Sequence, residues 1–173
     1  MILYFYGLMQ RIGLLSDTHA YFDSRFYEHF AGVDQIWHAG DIGSEEVLDL
    51  MEAFKPVRAV WGNIDGAALR RRLPEIQRFV CEGVDVMITH IGGYPGHYDP
   101  RIKQQLYANP PKLFICGHSH ILKVINDPSL KLLHINPGAA GKFGFHTVRT
   151  ALRFSLDNGT IRDMEVIEIG VRA

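Results

Sequence analysis

The segment Ile12-Gly-Leu-Leu-Ser-Asp-Thr-His19 joins a short apolar run directly to a carboxylate and an imidazole. An apolar run of four to six residues that ends in a polar turn is typical of a buried β-strand. The same pattern recurs along the chain and predicts further strands at 35–38, 57–61, 84–89 and 113–116. Helices are predicted between them at 23–30, 44–54 and 100–107, with Ser44 and Asp99 as N-caps. This alternation predicts an α/β fold.

The chain after residue 120 has a different pattern, in which strands follow one another without helices. Strands are predicted at 122–125, 132–135, 148–156 and 160–169. The turn Asp157-Asn158-Gly159 predicts a hairpin between the last two, because Asn and Gly tolerate positive φ. A parallel half followed by an antiparallel half indicates two stacked sheets flanked by helices. With no linker or repeat, we expect a single domain over residues 1–173.

Composition excludes several classes of protein. Of 173 residues, 47% are hydrophobic and 21% charged, and the formal net charge is −1, which argues against disorder and against a global basic field for nucleic acid. Cys81 and Cys116 are too few for a disulfide framework and are interpreted as buried residues of a cytoplasmic protein. Residues 1–8 are apolar but too short for a signal or membrane segment, and we interpret them as an upstream start or an extra edge segment.

Nine histidines stand out in this composition, and four of them follow predicted strands. Five consecutive strands end in Asp, His or Asn, and at this edge of an α/β sheet ligands bind. The residues at these ends are Asp17, His19, Asp41, Asn63, His90, His118 and His120. Seven such donors exceed the needs of one catalytic zinc but fit two ions that share a carboxylate. Nitrogen and oxygen donors without thiolate favour Mn, Fe, Co, Ni or Zn.

The ordered series D-x-H, G-D, G-N-x-D, T-H and G-H-x-H resembles the calcineurin-like metallophosphoesterases, and in particular their small stand-alone YfcE-like phosphodiesterase branch. The resemblance runs from about Ile12 to Gly138 and includes Asn136-Pro-Gly138. It implies a four-layer α/β/β/α sandwich. It also implies one metal on Asp17, His19 and His120, a second on Asn63, His90 and His118, and Asp41 bridging the two.

Such a site predicts a metal-dependent phosphoesterase that acts on a small phosphate ester. Among phosphoesterases, a phosphodiesterase is the first expectation. Two divalent ions, manganese in the first place and otherwise Ni, Co, Fe or Zn, hold a bridging hydroxide that attacks phosphorus in line. The catalytic residues are then Asp41, Asn63 and His90. One departure concerns the residue after Asn63: many superfamily members have His there, whereas this chain has Ile64. Without that proton donor, we expect faster turnover of aryl or nucleotide-type esters than of alkyl esters.

Several further residues each have two interpretations: either they support the metal site or the reaction, or they are ordinary residues of the fold. Asp65 either orients His90 or another imidazole or is a plain turn residue, and His38 either supports the metal site or is an ordinary strand residue. His97, on a glycine-rich and flexible segment, either supplies the missing proton or is a surface histidine. The run Arg70-Arg-Arg72 either steers an anionic substrate or is a solvated loop. The remaining histidines, which include His29, His134 and His146, are interpreted as ordinary.

Two other functions remain as alternatives. The same fold includes a retromer subunit that acts as a protein-interaction scaffold with a degraded metal site, and complete ligands at all seven positions favour an enzyme over that scaffold. A nuclease is the other alternative, which the near-neutral charge disfavours. The sequence predicts no membrane partner and leaves a homo-oligomer open.

Overall fold

The structure is a computed structural model that describes residues 9–172. The interpretation of residues 1–8 therefore lies outside the described residues. Within the described range the chain forms twelve strands and four helices: β1 Gln10–Leu15, α1 Arg25–His29, β2 Gln35–His38, α2 Glu45–Phe54, β3 Val57–Ala59, α3 Ala67–Arg72, β4 Ile76–Cys81, β5 Val84–Thr89, β6 Gly93–Tyr94, β7 His97–Tyr98, α4 Pro100–Ala108, β8 Leu113–Ile115, β9 Lys123–Asp127, β10 Leu132–Asn136, β11 Val148–Asp157 and β12 Thr160–Val171.

Two five-stranded sheets organise the described part of the chain. The first has the order β12-β11-β1-β2-β3 and the second the order β4-β5-β8-β10-β9. Strands β1, β2 and β3 are parallel, as are β5, β8 and β10, whereas β11 and β4 join their sheets in antiparallel orientation. Both sheets are therefore mixed, and the parallel and antiparallel halves of the sequence do not form separate sheets.

Three apolar cores separate four layers. The inner faces of both sheets meet in one core, which contains Ile12, Leu14, Val86, Ile88 and Leu113 among others. Helices α1, α2 and α3 cover the outer face of the first sheet, and α4 covers that of the second. The short parallel strands are buried on both faces, which explains why they are apolar runs and not alternating patterns. The predicted α/β/β/α sandwich is confirmed.

The helix starts agree with their sequence signals. Ser44 Oγ accepts a hydrogen bond from Val47 N at 3.3 Å, and the Asp99 side chain accepts one from Arg101 N at 2.9 Å. Helix α1 is shorter than predicted, because Asp23 lies before it. The buried Asp23 carboxylate accepts hydrogen bonds from Arg25 and from Arg149. Residues Asn158 and Gly159 have positive φ, as the predicted hairpin between β11 and β12 requires.

Helix α3 and strand β4 differ from the sequence expectation. The run Arg70-Arg-Arg72 belongs to helix α3, so its interpretation as a loop is wrong. Strand β4 was not expected and forms a hairpin with β5 through Glu82 and Gly83. Arg78 interrupts the apolar pattern of β4, which weakens the sequence signal for a strand. In the structure its charge is paired, because it lies 2.6 Å from Asp85 on the neighbouring strand β5. The expected burial of Cys81 and Cys116 is confirmed.

Candidate metal centre

The loops that follow five parallel or inner strands carry the seven side chains singled out in the sequence. Asp17 and His19 follow β1, Asp41 follows β2 and Asn63 follows β3, all in the first sheet; His90 follows β5, and His118 and His120 follow β8, in the second sheet. Five of the seven have left-handed backbone, with φ between 48° and 69°. This conformation is unfavourable for residues other than glycine, and its concentration here is typical of a functional site.

One group of atoms lies around Asp17. His120 Nε2 is 3.0 Å from Asp17 Oδ1, and His19 Nε2 is 3.8 Å from the same oxygen. The two imidazole Nε2 atoms are 3.2 Å apart. Burial alone raises the pKa of Asp17, but the adjacent His120 and His90 imidazoles and the Ser16 hydroxyl outweigh it, so the pKa lies below its usual value.

A second group lies around Asp41. His90 Nε2 is 3.2 Å from Asp41 Oδ2 and 3.1 Å from Asn63 Oδ1. Asp41 Oδ2 also lies 3.9 Å from His19 Nε2, so this carboxylate is near both groups. Burial raises the pKa of Asp41, but the contact with His90 and the hydrogen bond from Ile64 N outweigh it and lower the pKa.

His118 contributes to the same cavity but is less closely joined to these groups. Its ring stacks edge-on against His90 with 5.3 Å between centroids, and its backbone N donates to Asp17 Oδ2 at 3.1 Å. A cavity of about 250 Å³ is lined by His118 together with other predicted ligands, namely His19, Asp41, Asn63 and His120. The structure thus brings all seven predicted residues to one place.

The donors present fit a divalent metal. The buried Asp17 Oδ1 has no hydrogen-bond partner among residues 9–172. His120 Nε2 lies 3.0 Å from this oxygen but does not form a hydrogen bond with it. A buried carboxylate oxygen without a partner is costly unless a cation compensates it. Two groups of side chains have ligand atoms within 4.8 Å of one another: Asp17, His19 and His120, and Asp17, Asp41 and His90.

Two of the imidazoles have their reactive tautomer fixed by the structure. His90 Nδ1 lies 2.7 Å from the Ala39 carbonyl oxygen, which can only accept, so Nδ1 carries a proton and Nε2 is the nitrogen that faces the site. Asp65, interpreted either as the partner of an imidazole or as a turn residue, accepts from backbone N–H groups, and the partner of His90 Nδ1 is Ala39. Burial lowers the pKa values of His19 and His118, which favours the neutral form that metals bind.

His146 orients His120 in the same way and was interpreted as ordinary in the sequence. His146 Nε2 lies 3.1 Å from the Gly141 carbonyl oxygen and therefore donates to it. A neutral His146 then accepts at Nδ1 from His120 Nδ1, 3.2 Å away, and His120 Nε2 is the nitrogen that faces Asp17. The interpretation of His146 as ordinary is wrong. The glycine-rich segment before it was the available signal, but its contact with His120 depends on tertiary structure.

His38 supports the loops without entering the site. Gly40 N donates to His38 Nδ1, so His38 Nε2 donates to Thr18 Oγ1 at 3.0 Å, and Thr18 in turn donates to the Ile42 carbonyl. Complete burial lowers the pKa of His38 to about 3, so the ring is neutral. The chain of hydrogen bonds joins the loop after β1 to the loop after β2.

Asp65 and Arg70 fix the loop that carries Asn63. The buried Asp65 carboxylate accepts from the backbone N–H groups of Gly62, Ile42 and Gly43. Arg70 lies 4.1 Å over the Trp61 ring and donates to the carbonyl oxygens of residues 62, 63 and 65. The sequence offered Arg70 either as a residue that steers substrate or as part of a solvated loop, and its backbone contacts could not be inferred from an arginine run.

Two larger cavities adjoin the centre. One of about 460 Å³ has Asn63 and His90 in its wall, together with Arg70 and Arg101. The other, of about 430 Å³, is lined by His118 and by His97. His97 lies in the hairpin of β6 and β7, so the expected flexible segment is a small sheet, and its ring stacks at 5.0 Å on Tyr94.

The model of the calcineurin-like phosphoesterase superfamily domain matches residues 10–159 of this chain. The chain belongs to this superfamily. A curated relative from Methanocaldococcus jannaschii, named a probable metallophosphoesterase, is 33% identical over 139 residues, which cover 74% of this chain and 67% of that protein. The superfamily predicted from the five motifs is therefore confirmed.

Solved structures share the fold of this phosphoesterase domain. The structure described as that of a novel archaeal phosphodiesterase matches with a TM-score of 0.72 and 22% identity, covering 91% of this chain and 99% of the other. Vps29 from Chaetomium thermophilum matches with a TM-score of 0.71 and 14% identity, covering 94% and 99%. At these identities the matches show the fold alone. None of the described helices is long and apolar enough to cross a membrane.

Proposed function

We propose that this chain is a metal-dependent phosphodiesterase that hydrolyses a small phosphate ester at a dinuclear centre. The observation that carries the proposal is the convergence of the His19, His90 and His120 Nε2 atoms on two buried carboxylates, Asp17 and Asp41. Imidazole lone pairs that face one another at 3.2 Å repel unless a cation or a proton lies between them. The superfamily membership supports a divalent metal in this place.

The proposed ligands divide between two ions. Asp17, His19 and His120 hold one ion, while Asn63, His90 and His118 hold the other, with Asp41 shared by both. The first candidate group, Asp17, His19 and His120, is the proposed ligand set of the first ion, and the second group places Asp41 and His90 together beside Asp17. We propose manganese in the first place, with Ni, Co, Fe or Zn as alternatives for these nitrogen and oxygen donors. Bound divalent ions supply a nucleophilic hydroxide at neutral pH and neutralise charge on the phosphoryl oxygens.

The chain's own residues determine which esters are favoured. Asn63 is a neutral ligand, so it adds no negative charge that would repel an anionic substrate. Ile64 is 48% exposed next to Asn63 and cannot donate a proton to a leaving group. We therefore propose that esters with acidic leaving groups, such as aryl or nucleotide esters, react faster than alkyl esters. His97, exposed in a neighbouring cavity that includes His118, is the proposed proton donor where one is needed.

The test is hydrolysis of matched para-nitrophenyl monoester and diester substrates by metal-stripped protein to which Mn, Ni, Co, Zn or Mg is returned. We expect manganese to restore activity, with the diester preferred. Asp41→Asn should abolish activity and reduce the metal bound per chain, whereas Asp49→Asn, a change at an exposed carboxylate of α2, should leave both unchanged. Activity that no metal restores, together with unchanged metal content in Asp41→Asn, would refute the proposal.

A protein-interaction scaffold is the second candidate, because Vps29 shares the fold. The complete set of oriented donors favours the enzyme over it. A scaffold would bind a protein partner equally well with and without a chelator, and it would show no turnover. We further propose a cytoplasmic location, which the two buried free cysteines support. A nuclease activity would appear as metal-dependent cleavage of a single-stranded oligonucleotide, which the near-neutral charge disfavours.

A further inference from the structure

Three exposed apolar side chains stand beside the candidate metal centre. Phe145 is fully exposed at 103%, Phe143 is 67% exposed and Ile64 is 48% exposed. We call Phe143 and Phe145, together with the neighbouring Ile64, the aromatic rim. A single exposed apolar residue is common, but adjacent large apolar groups at the mouth of a polar cavity indicate a surface that binds something.

The aromatic rim is held against the centre by close packing. A Cβ on Gly144 would lie 2.1 Å from His120 Nδ1, so the backbone between the two phenylalanines rests directly on this imidazole. The end of the same segment is joined to His120 through His146. The Phe143 ring lies 6.4 Å from the His19 ring, measured between centroids. The position of the rim is therefore tied to the candidate ligands and not to a separate part of the surface.

The cavity that the aromatic rim borders has two chemically different walls. Ile64 and Phe145 line it together with the imidazoles and with Asp41 and Asn63. Lys142, the cationic residue next to Phe143 in the sequence, lies 4.4 Å over the Tyr21 ring. Its charge therefore contacts Tyr21 and not this cavity. One wall is suited to a phosphoryl group that metals bind, and the other is suited to an uncharged planar group attached to it.

We propose that the aromatic rim binds the aromatic organic group of the substrate while the metal centre binds its phosphoryl group. This inference rests on the proposed function. A volume of about 250 Å³ accommodates a single ring with its phosphoryl group. The rim thus adds specificity by contact, independently of the acidity of the leaving group.

The experiment separates contact from reactivity by using phosphonates, whose phosphorus–carbon bond this hydrolysis does not break. Binding of phenylphosphonate and of methylphosphonate to the manganese-loaded protein is measured by calorimetry. The two ligands have the same anionic head, so the ratio of their dissociation constants reports on the ring. We expect phenylphosphonate to bind about tenfold more tightly to the wild type, as one well-packed aromatic contact gives.

Variants locate the contact. Phe145→Ala and the double change of Phe143→Ala with Phe145→Ala should reduce the ratio stepwise toward one, while methylphosphonate binding is unchanged. Both side chains are exposed, so their removal leaves the core intact. Tyr107→Ala, which removes a 51% exposed aromatic ring from α4, is the matched control and should keep the wild-type ratio.

The outcomes are distinguishable. Equal binding of the two phosphonates to the wild type would overturn the inference and leave the proposed function in place. A preference for phenylphosphonate that survives the double change would also overturn it, because the ring would then bind in another cavity, such as the one that Trp61 lines. Failure of both phosphonates to bind the metal-loaded protein would overturn the proposed function and this inference with it. A rim that docks a protein would likewise leave the ratio unaffected by the changes.

Discussion

His134 offers a direct test of how burial affects stability in the second sheet. Its side chain is fully buried in β10, and neither ring nitrogen has a hydrogen-bond partner among the described residues. Its ring lies against those of Phe114 and Tyr98, at 5.8 Å and 6.3 Å between centroids. Burial lowers the pKa of His134 from 6.5 to about 4, and Lys123 acts in the same direction.

The sign of the effect follows from proton uptake. Below pH 6.5 the unfolded chain binds a proton at this residue, whereas folded His134 stays neutral until the pH approaches about 4. Stability is therefore complete above the unfolded pKa and is lost as the pH falls through this window. Between about pH 7.5 and about pH 5 the loss from this one residue is ~2 kcal/mol.

The perturbation is His134→Leu, which removes the titrating ring and its unpartnered nitrogens. Urea unfolding of metal-stripped protein is measured at both pH values, so that other histidines contribute equally to wild type and variant. The difference in free energy of unfolding between the variant and the wild type should be ~2 kcal/mol larger, in favour of the variant, at the lower pH than at the higher pH. Leu48→Ala, a change at a buried residue of α2 in another apolar core, should lower the free energy of unfolding by the same amount at both. Parallel pH dependence of wild type and His134→Leu would refute the reasoning.

Three further predictions concern the centre and its support. Gly117→Ala places a Cβ against the Ser16 hydroxyl and 2.8 Å from Asp17 Oδ2, and it should abolish manganese binding, measured by calorimetry, while the secondary structure in circular dichroism is retained. His146→Ala frees the tautomer of His120 and should weaken metal affinity about 10- to 100-fold, with partial rescue by His146→Gln; unchanged affinity would exclude the orienting role. Arg149→Met leaves a buried carboxylate with its exposed arginine partner alone and should lower the free energy of urea unfolding by about 3 kcal/mol, and a loss below ~1 kcal/mol would contradict it.

The sequence predicted the elements whose signals are local. Strand β5 was predicted with its observed limits because Val84–Thr89 is a mostly apolar run, buried except at Asp85. Helices α2 and α4 have side-chain caps that could be read directly. Helix α3 has a glycine N-cap without a side-chain hydrogen bond, and its arginines resemble a solvated loop, so no local signal identified it.

The candidate site divides in the same way. Asp41 and His90 were found because each lies within three residues of the end of a predicted strand. The contacts that orient them were not predictable, because they come from distant parts of the chain. Ala39 reaches His90 across 51 residues, and His146 reaches His120 from a loop with no periodic pattern. Spacing identifies donors, whereas tertiary packing decides which nitrogen of a ring faces the site.

The seven candidate ligands are shared between two sheets, with four side chains from the first and three from the second. A metal bound there would act as a crosslink across the seam of the sandwich. Its escape to a chelator would then depend on transient separation of the sheet edges, so the rate of metal loss would report on local breathing of the protein. Mild denaturant should accelerate that loss well before the chain unfolds, since partial opening requires less exposure of surface than global unfolding.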